Sequence, residues 1–460
     1  MPTKKEVQAK FSGPSARDII ASDKKPAEDF LLKEENNFQG DKDIDFTRYT
    51  SQEFFDQEMS LMWPKVWQWA CREEHLQEVG DTYIYEFGNY SIIIVKSKND
   101  LLQAFLNTCS HRGTKICPNE GSGSLKFFRC PFHGWSWNLD GTIKNIPGNW
   151  DFPHVSDKTH GLQKVKCDVW GGFVFINLDL EAGPLQEYLE VLPDHFEKTP
   201  LENRHITLHI EKTLPANWKA SQEAFLEAYH SFETHRSPNG ANCQYDVFGK
   251  RTSRFLHNRG TYSPMALDDY PGDEWRKPPL TEEEILKNFG IVDLETTSVP
   301  DGETAREVAA KEIRLNLGDR LGVDLSNYSD SLILDSIQYH LFPNMFFFPG
   351  ITIPMCYRFR PLKNDPEKTI FDIMFLSPLP KGVKHPDPPQ PYKIDIHESY
   401  QDIPELGLLG RVFDEDTNNL ILQQEGFKTN RKKGLTLGNY QESRIRRIHA
   451  TLDEFLKAKI

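Results

Sequence analysis

Four residues that bind transition metals stand in two short pairs, Cys109-x-His111 and Cys130-x-x-His133, with 18 residues between the pairs. Two thiolates and two imidazoles can hold a Rieske-type [2Fe-2S] cluster. Imidazoles on one of its irons raise the potential to roughly −150 to +300 mV, from about −400 mV for an all-cysteine cluster. The same donors can hold a structural zinc ion. The order Cys, His, Cys, His and the single-residue gap of the first pair favour the cluster, because zinc sites usually place both Cys before both His. Gly113 and Gly134 stand where the two ligand loops must turn tightly, and Pro131 stiffens the second loop.

A second constellation follows in NWKASQEAFLEAYHSFETH, residues 217–235, which reads as one amphipathic helix with apolar Trp218, Ala224, Phe225, Leu226 and Tyr229. Glu223, Glu227 and His230 then share a face. His235 falls roughly 140° away from His230 around a regular helix. For both imidazoles to meet one metal, the helix must bend, bulge or end between Ser231 and Thr234, and Pro238 lies just beyond. Two His and one carboxylate leave open positions on an iron, the arrangement of non-haem Fe(II) oxygenases. Asp414, Glu415 and Asp416, in VFDEDTNNLILQQEGF, are the candidate carboxylates. Taken alone, such a cluster reads as a helix-capping device.

From about Tyr49 to the C-terminus the pattern resembles the oxygenase (α) subunit of Rieske non-haem iron aromatic-ring-hydroxylating oxygenases. The resemblance implies Cys109, His111, Cys130 and His133 as cluster ligands, and His230, His235 and an Asp as ligands of a mononuclear Fe(II). In that family the Asp closes a Glu-Asp pair and a Gln follows it; Gln424 makes Asp416 the choice here and Asp414 the fallback. Where the family commonly has Asp three residues before the first iron His, this chain has Glu227. The resemblance implies that Glu227 hydrogen-bonds both His230 and His133 of the partner subunit, bridging the two metal centres. Asn217 resembles a family residue near the iron, with a helix N-terminal role as the alternative. Glu223 is either a solvated carboxylate or one that orients the site.

The implied activity is that of a terminal oxygenase. It would use O2 and electrons from a ferredoxin or an NAD(P)H-driven flavin reductase to mono- or dioxygenate an apolar aromatic or alicyclic compound, as in aromatic hydrocarbon catabolism. Glu in the bridging place occurs in the family branch that acts on quaternary ammonium compounds. An oxidative demethylase or monooxygenase of a quaternary ammonium or methoxy compound is therefore the alternative. A pure electron carrier would need only the first constellation and about half the chain. Family assemblies imply a homotrimer or an α3β3 complex.

The composition fits these readings. The 460 residues are enough for two cores, and the net charge of −14 argues against a nucleic-acid or anionic-membrane surface. Cys71, Cys117, Cys167, Cys243 and Cys356 form no paired framework, which suits a reducing compartment. The N-terminus carries charge without a following apolar run, so neither a signal peptide nor a membrane span is expected, and the cytoplasm is.

These sites need elements to hold them, and the expected fold is α+β. Residues 1–45 are polar and read as a flexible or wrapping arm. Residues 46–180 carry short alternating runs such as TYIYEF, YSIIIVK and GFVFINL, with turn signals at Gly88-Asn89 and Asp140-Gly141: an antiparallel β domain for the cluster. A helix with a break at Pro64 precedes it. Residues 181–460 hold strands such as RHITLHIEKTL, MCYRFRPL and FDIMFLSPL between long helices. The resemblance implies a helix-grip catalytic domain there. Within it, 260–330 is acidic and Pro-rich with two helical pieces, a possible lid or subunit contact, and Glu284 is placed to pair with Lys287. The run YHLFPNMFFFPGITIPM could line an apolar pocket, although Phe346, Phe347 and Phe348 equally suit a sheet core; its aromatics would also suit a cation. His340 reads as a core or surface His.

Overall fold

A computed structural model describes residues 15–98, 101–235, 243–259, 281–289 and 298–457. Pro238, the first 14 residues of the arm, and 260–280 and 290–297 of the insertion lie outside the described residues.

Period-two runs build two main sheets, antiparallel except for one parallel pair at the edge of the second. The first contains β1 (Gln68–Arg72), β2 (Asp81–Phe87), β3 (Tyr90–Lys96), β4 (Leu102–Leu106) and β5 (Gly121–Ser124). A small three-stranded sheet follows: β6 (Phe128–Arg129), β7 (Ser136–Trp137) and β8 (Ile143–Asn145). Two further strands, β9 (Lys164–Trp170) and β10 (Phe173–Asn177), complete the larger sheet in the order β1-β10-β9-β4-β3-β2-β5. Phe87 pairs with Tyr90 across Gly88-Asn89, and Gly88 takes φ +51°, the left-handed conformation that a two-residue hairpin turn requires. The expected helix before this sheet is split: an α-helix over Gln52–Gln57, a wider turn over Glu58–Met62, then a tighter one at Trp63–Lys65 around Pro64.

The second sheet has eight strands. These are β11 (Arg204–Leu214), β12 (Gln244–Phe248), β13 (Thr252–His257), β14 (Ser336–Leu341), β15 (Met345–Phe347), β16 (Met355–Pro361), β17 (Thr369–Pro378) and β18 (Tyr392–Ile394). Their order is β12-β13-β14-β15-β16-β17-β11-β18. Across this sheet lie α1 (Trp218–Glu223), packed on β16 and β17, and α3 (Leu408–Thr429), packed on α1; α2 (Ala305–Leu321) belongs to the insertion and α4 (Ser443–Lys457) closes the chain. Phe346, Phe347 and Phe348 are buried in this core. His340 is buried too, with Nε2 3.3 Å from Gln222 Oε1, and burial pushes its pKa well below the ordinary value.

The sheets meet through buried charge. Asp372 accepts from Arg358 Nε at 2.9 Å and Arg360 Nε at 2.6 Å, while Arg358 also donates to the Ala70 carbonyl at 3.1 Å and lies 3.8 Å from the Trp69 ring centre. Burial alone would raise the Asp372 carboxyl, but the two guanidinium groups outweigh it and hold it well below the usual range. Removing one partner of such a set strands a buried charge, so the joint is unforgiving of substitution.

The described part of the arm wraps. Arg254 Nη1 donates to the Phe30 carbonyl at 2.7 Å, Asn36 Nδ2 to the Tyr245 carbonyl at 2.7 Å, and Arg306 of α2 grips Asp23 at 2.7 Å and Asp335 at 2.8 Å. Both insertion helices are present, at Glu282–Asn288 and in α2. The expected surface pair with Lys287 gives way to a cap: Glu284 accepts from the Thr281 backbone N–H at 2.8 Å, and Thr281 Oγ1 accepts from the Glu284 backbone N–H.

Candidate metal centres

Each loop of the first constellation is a tight turn closed on its own Cys. Gly113 N–H donates to the Cys109 carbonyl at 2.9 Å and Gly134 N–H to the Cys130 carbonyl at 3.1 Å, with both glycines at positive φ (+76° and +74°). The turns aim backbone N–H groups at the sulfurs: His111 and Arg112 toward Cys109, Phe132 and His133 toward Cys130. Burial raises the Cys109 thiol. At Cys130 burial acts the same way, but these amides, Cys109 and Thr114 outweigh it and lower the pKa, which favours thiolate. The His111 and His133 rings lie 4.7 Å apart, His111 stacks on Trp135, and His111 Nδ1 is buried with no hydrogen-bond partner among the described residues. Two facing thiols, two imidazoles and an orphaned ring nitrogen fit a cluster.

In the second constellation the chain departs from one long helix. α1 ends at Glu223, well before the break expected near Ser231 to Thr234, and a tight turn spans Tyr229–Phe232. The cause is competition for backbone groups. Arg444 Nη1 takes the Leu226 carbonyl at 3.1 Å, and Ala228 N–H donates to Tyr245 Oη at 3.1 Å. Glu227 then caps the new turn, its Oε2 accepting from His230 N–H at 3.0 Å.

The broken backbone lets the imidazoles converge. His230 Nε2 lies 3.3 Å and His235 Nε2 2.9 Å from Asp416 Oδ1, and the three donor atoms lie within 4.8 Å of one another. The opposite nitrogens are tied back: His230 Nδ1 to Glu227 Oε1 at 2.6 Å, His235 Nδ1 to Glu415 Oε2 at 2.8 Å. A carboxylate that accepts Nδ1–H fixes the tautomer and leaves the Nε2 lone pair for a metal. Burial opposes a charged His230, but Asp416 and Glu227 outweigh it and hold its pKa at about 10; His235 is raised for similar reasons and Asp416 is lowered. This donor set fits a single Fe(II).

Glu415, one of the three candidate carboxylates, is tied to the far nitrogen of His235, a role that sequence reasoning passed over. Arg411 Nε, one turn earlier on α3, donates to it at 2.7 Å. Asp414 does not join the site. It points nearly opposite Asp416, as positions two apart on a helix do, and its carboxylate accepts from Tyr400 N–H at 3.0 Å and Gln401 Nε2 at 3.0 Å. Asn217 takes the capping role: its Oδ1 accepts from Lys219 N–H at 3.0 Å, and its Nδ2 donates to the Pro366 carbonyl at 2.6 Å. The expectation of a side chain near the iron is corrected accordingly. Gln424 anchors that same cap, accepting from Asn217 N–H at 3.0 Å. Glu223 is no solvated carboxylate: Tyr49 Oη (3.0 Å) and His449 Nε2 (2.9 Å) both hold it, and it lines with Glu227, His230, Asp416 and Glu442 a cavity of about 280 Å³. A second compact group, His209, Glu211 and Asp372, is the salt-bridged joint between the sheets, where two arginines already neutralise Asp372.

The family described as "Ring hydroxylating alpha subunit (catalytic domain)" matches residues 194–458, more than half of the chain, and "Rieske [2Fe-2S] domain" matches 66–156. The chain belongs to the ring-hydroxylating α-subunit family. Members with both parts carry a Rieske cluster and a mononuclear non-haem iron, the two groups that these donor sets fit. Among relatives, biphenyl 2,3-dioxygenase subunit alpha of Rhodococcus jostii is 29% identical over 192 residues, 40% of this chain and 42% of that protein. The carnitine monooxygenase oxygenase subunit of Acinetobacter pittii is 29% identical over 191 residues, 41% and 51% of the two chains. The matched stretch thus spans about two-fifths to one-half of these curated relatives. In fold, the chain is similar to naphthalene 1,2-dioxygenase from Rhodococcus sp. bound to indole (TM-score 0.62, 17% identity, 91% of this chain and 95% of that one). It is equally similar to the quaternary ammonium Rieske monooxygenase CntA in complex with L-carnitine (TM-score 0.60, 16% identity, 90% and 95%).

Proposed function

We propose that this ring-hydroxylating α subunit is the terminal oxygenase component of a system that uses O2 and reductase-supplied electrons to hydroxylate an apolar aromatic or alicyclic compound. Cys109, His111, Cys130 and His133 hold the cluster; His230, His235 and Asp416 hold the iron. The observation that carries the reading is the convergence of both Nε2 atoms on Asp416 Oδ1, with both Nδ1 atoms tied to carboxylates. Bound there, the cluster supplies single electrons and the iron supplies dioxygen activation.

The protein's own part is to orient. Glu227 fixes the His230 ring and lines the cavity beside it, and in the assembled oligomer it bridges to His133 of the partner subunit. Glu415, steadied by Arg411, fixes His235. The working unit is a homotrimer or α3β3 assembly in the cytoplasm, served by a ferredoxin or flavin reductase. Its parts are a wrapping arm to residue 45, a cluster domain to 180 and a catalytic domain beyond, with 260–330 as a lid or subunit contact. No described helix is long and apolar enough to cross a membrane.

Oxidative demethylation or monooxygenation of a quaternary ammonium or methoxy compound is the second reading. Glu227 and the run of carboxylates lining the cavity favour it. Electron paramagnetic resonance of the reduced, nitric oxide-treated protein separates the two. Polycyclic aromatics, steroids and methylammonium compounds are titrated in turn, and the class that alone alters the iron-nitrosyl signal is the substrate class. A reduced cluster signal with no nitrosyl signal would leave a simple electron carrier.

A further inference from the structure

The cavities beside the two metal centres carry opposite charge. The one at the iron site is lined by Glu223, Glu227, Asp416 and Glu442 and by no Lys or Arg. The other is a groove of about 500 Å³ on the cluster domain, between β5 and the loop 116–119, lined by Lys126 and Arg129 and by no carboxylate. Lys144 adds a third cation, its Nζ 5.2 Å from the ring centre of Phe127 in the groove wall. All three cations are exposed, and among the described residues none has a carboxylate partner. Glu120, beside the loop, is already held by Arg360 at 2.6 Å. From Leu101 to Trp150, the stretch that carries all four cluster ligands, five Lys and Arg stand against two Asp and Glu, although the whole chain has a net charge of −14. An unpaired basic patch on an acidic protein fits an acidic partner.

The groove also backs onto the thiolate side of the cluster site. Ile84 and Ile116 of its lining share one small core with Cys109 and Cys130, and Cys117 and Leu125 pack against that core. Its floor is tied to the first ligand loop: Asn107 Oδ1 accepts from Ile116 N–H at 3.1 Å and Cys117 N–H at 2.9 Å, and the Thr114 carbonyl accepts from Cys109 N–H at 2.9 Å. Arg129 directly precedes Cys130. β5 ends its sheet and carries only Gly and Ser, so the backbone of a partner can come close.

We propose that this groove is the docking surface for an acidic electron-carrier protein, which seats its carboxylates on Lys126, Arg129 and Lys144 and passes its electron to the cluster from the thiolate side. The reduced carrier gives up one electron and one ferric ion of the cluster becomes ferrous, with no bond made or broken. Entry on this side leaves His133, exposed at the loop tip, for the onward step to Glu227 of the partner subunit. The proposal rests on the cluster and the bridge assigned above.

Binding of the cluster-loaded full chain to an immobilised acidic plant-type [2Fe-2S] ferredoxin, by biolayer interferometry, tests the groove, and stopped-flow reduction of the cluster by the same ferredoxin follows. In wild type both should weaken by about tenfold or more as salt rises from about 50 to about 500 mM. K126E and K144E should each lose about tenfold in affinity, with ferredoxin-driven reduction slowed in step. Photoreduction through a neutral deazaflavin should keep its wild-type rate in both, because a small neutral reductant needs no dock. K126Q, which removes the charge without reversing it, should lose less than K126E and stands in where the reversal does not fold. K381E, an exposed reversal outside the groove, should match wild type. Groove variants that bind like K381E, or wild-type binding indifferent to salt, overturn the proposal. A changed oligomeric state in K126E or K144E would make the groove a contact between copies and overturn it as well. Wild-type protein with no Rieske signal after deazaflavin photoreduction would instead overturn the cluster assignment, before any docking is measured.

Discussion

The cluster ligands sit on two hairpin turns within residues 109–133, whereas the iron ligands come from a broken turn at 230–235 and from the middle of α3, at 416. In the first site each loop closes on its own backbone, and the amides that favour thiolate belong to the residues next to the ligands. In the second no ligand is positioned by its neighbours alone: Glu415 from α3 orients His235, and Arg444 from α4 holds open the backbone ahead of His230. Local sites tolerate change elsewhere; assembled sites report on the packing of the whole domain.

The sharpest way to break this contrast is to remove one ligand from each. Asp416→Ala should take the metal content from about three irons per chain to about two, with the cluster spectrum intact. Cys130→Ser should do the converse, abolishing the cluster signal while iron-nitrosyl formation survives. If Asp414→Ala empties the iron site instead, the choice of ligand is wrong, since the structure ties Asp414 to Ser399, Tyr400, Gln401 and Lys212.

Next in size is Glu227→Ala. Both metals should stay bound, and reductase-coupled turnover should stop. Normal coupled turnover would remove Glu227 from the electron route. Glu415→Ala tests the orienting role that distinguishes the assembled site, and iron affinity should fall by about 10- to 100-fold, as for other carboxylates behind a ligating His. An unaltered iron dissociation constant would mean that His235 needs no such support.

The smallest effect is on pH dependence. In iron-free protein burial opposes the His230 charge, but Asp416 and Glu227 hold the group at about 10, above the ordinary value of about 6.5. Because the folded value is raised, this stabilisation is complete below about pH 6.5 and is lost as the pH climbs toward about 10. Iron requires the bare Nε2, so its binding releases a proton and tightens over that same range. Chelated protein should therefore lose Tm between about pH 7 and 9 faster than loaded protein. Parallel slopes would show that proton and metal do not compete at His230.

How much of this was legible in the residues follows from the range of each interaction. Cys109, His111, Cys130 and His133, the strands with period-two alternation, and the hairpin at Gly88-Asn89 are local patterns, because turn chemistry and side-chain alternation act over a few residues. The need for a break between His230 and His235 was legible as well, since a regular helix cannot aim both at one metal. Where the break falls was not. It is set by Arg444 and Tyr245 taking the Leu226 carbonyl and the Ala228 N–H, and neither residue is near them in sequence. The capping fate of Asn217 and of Asp414, the role of Glu415, and the burial of Glu223 against Tyr49 and His449 likewise depend on which helix lands on which. Residue types and spacing determined which metals this chain can hold. Spacing alone left three candidate carboxylates, from which the family resemblance chose Asp416; tertiary structure shows which one faces the imidazoles, because the direction of a side chain on α3 means nothing until the helix is packed.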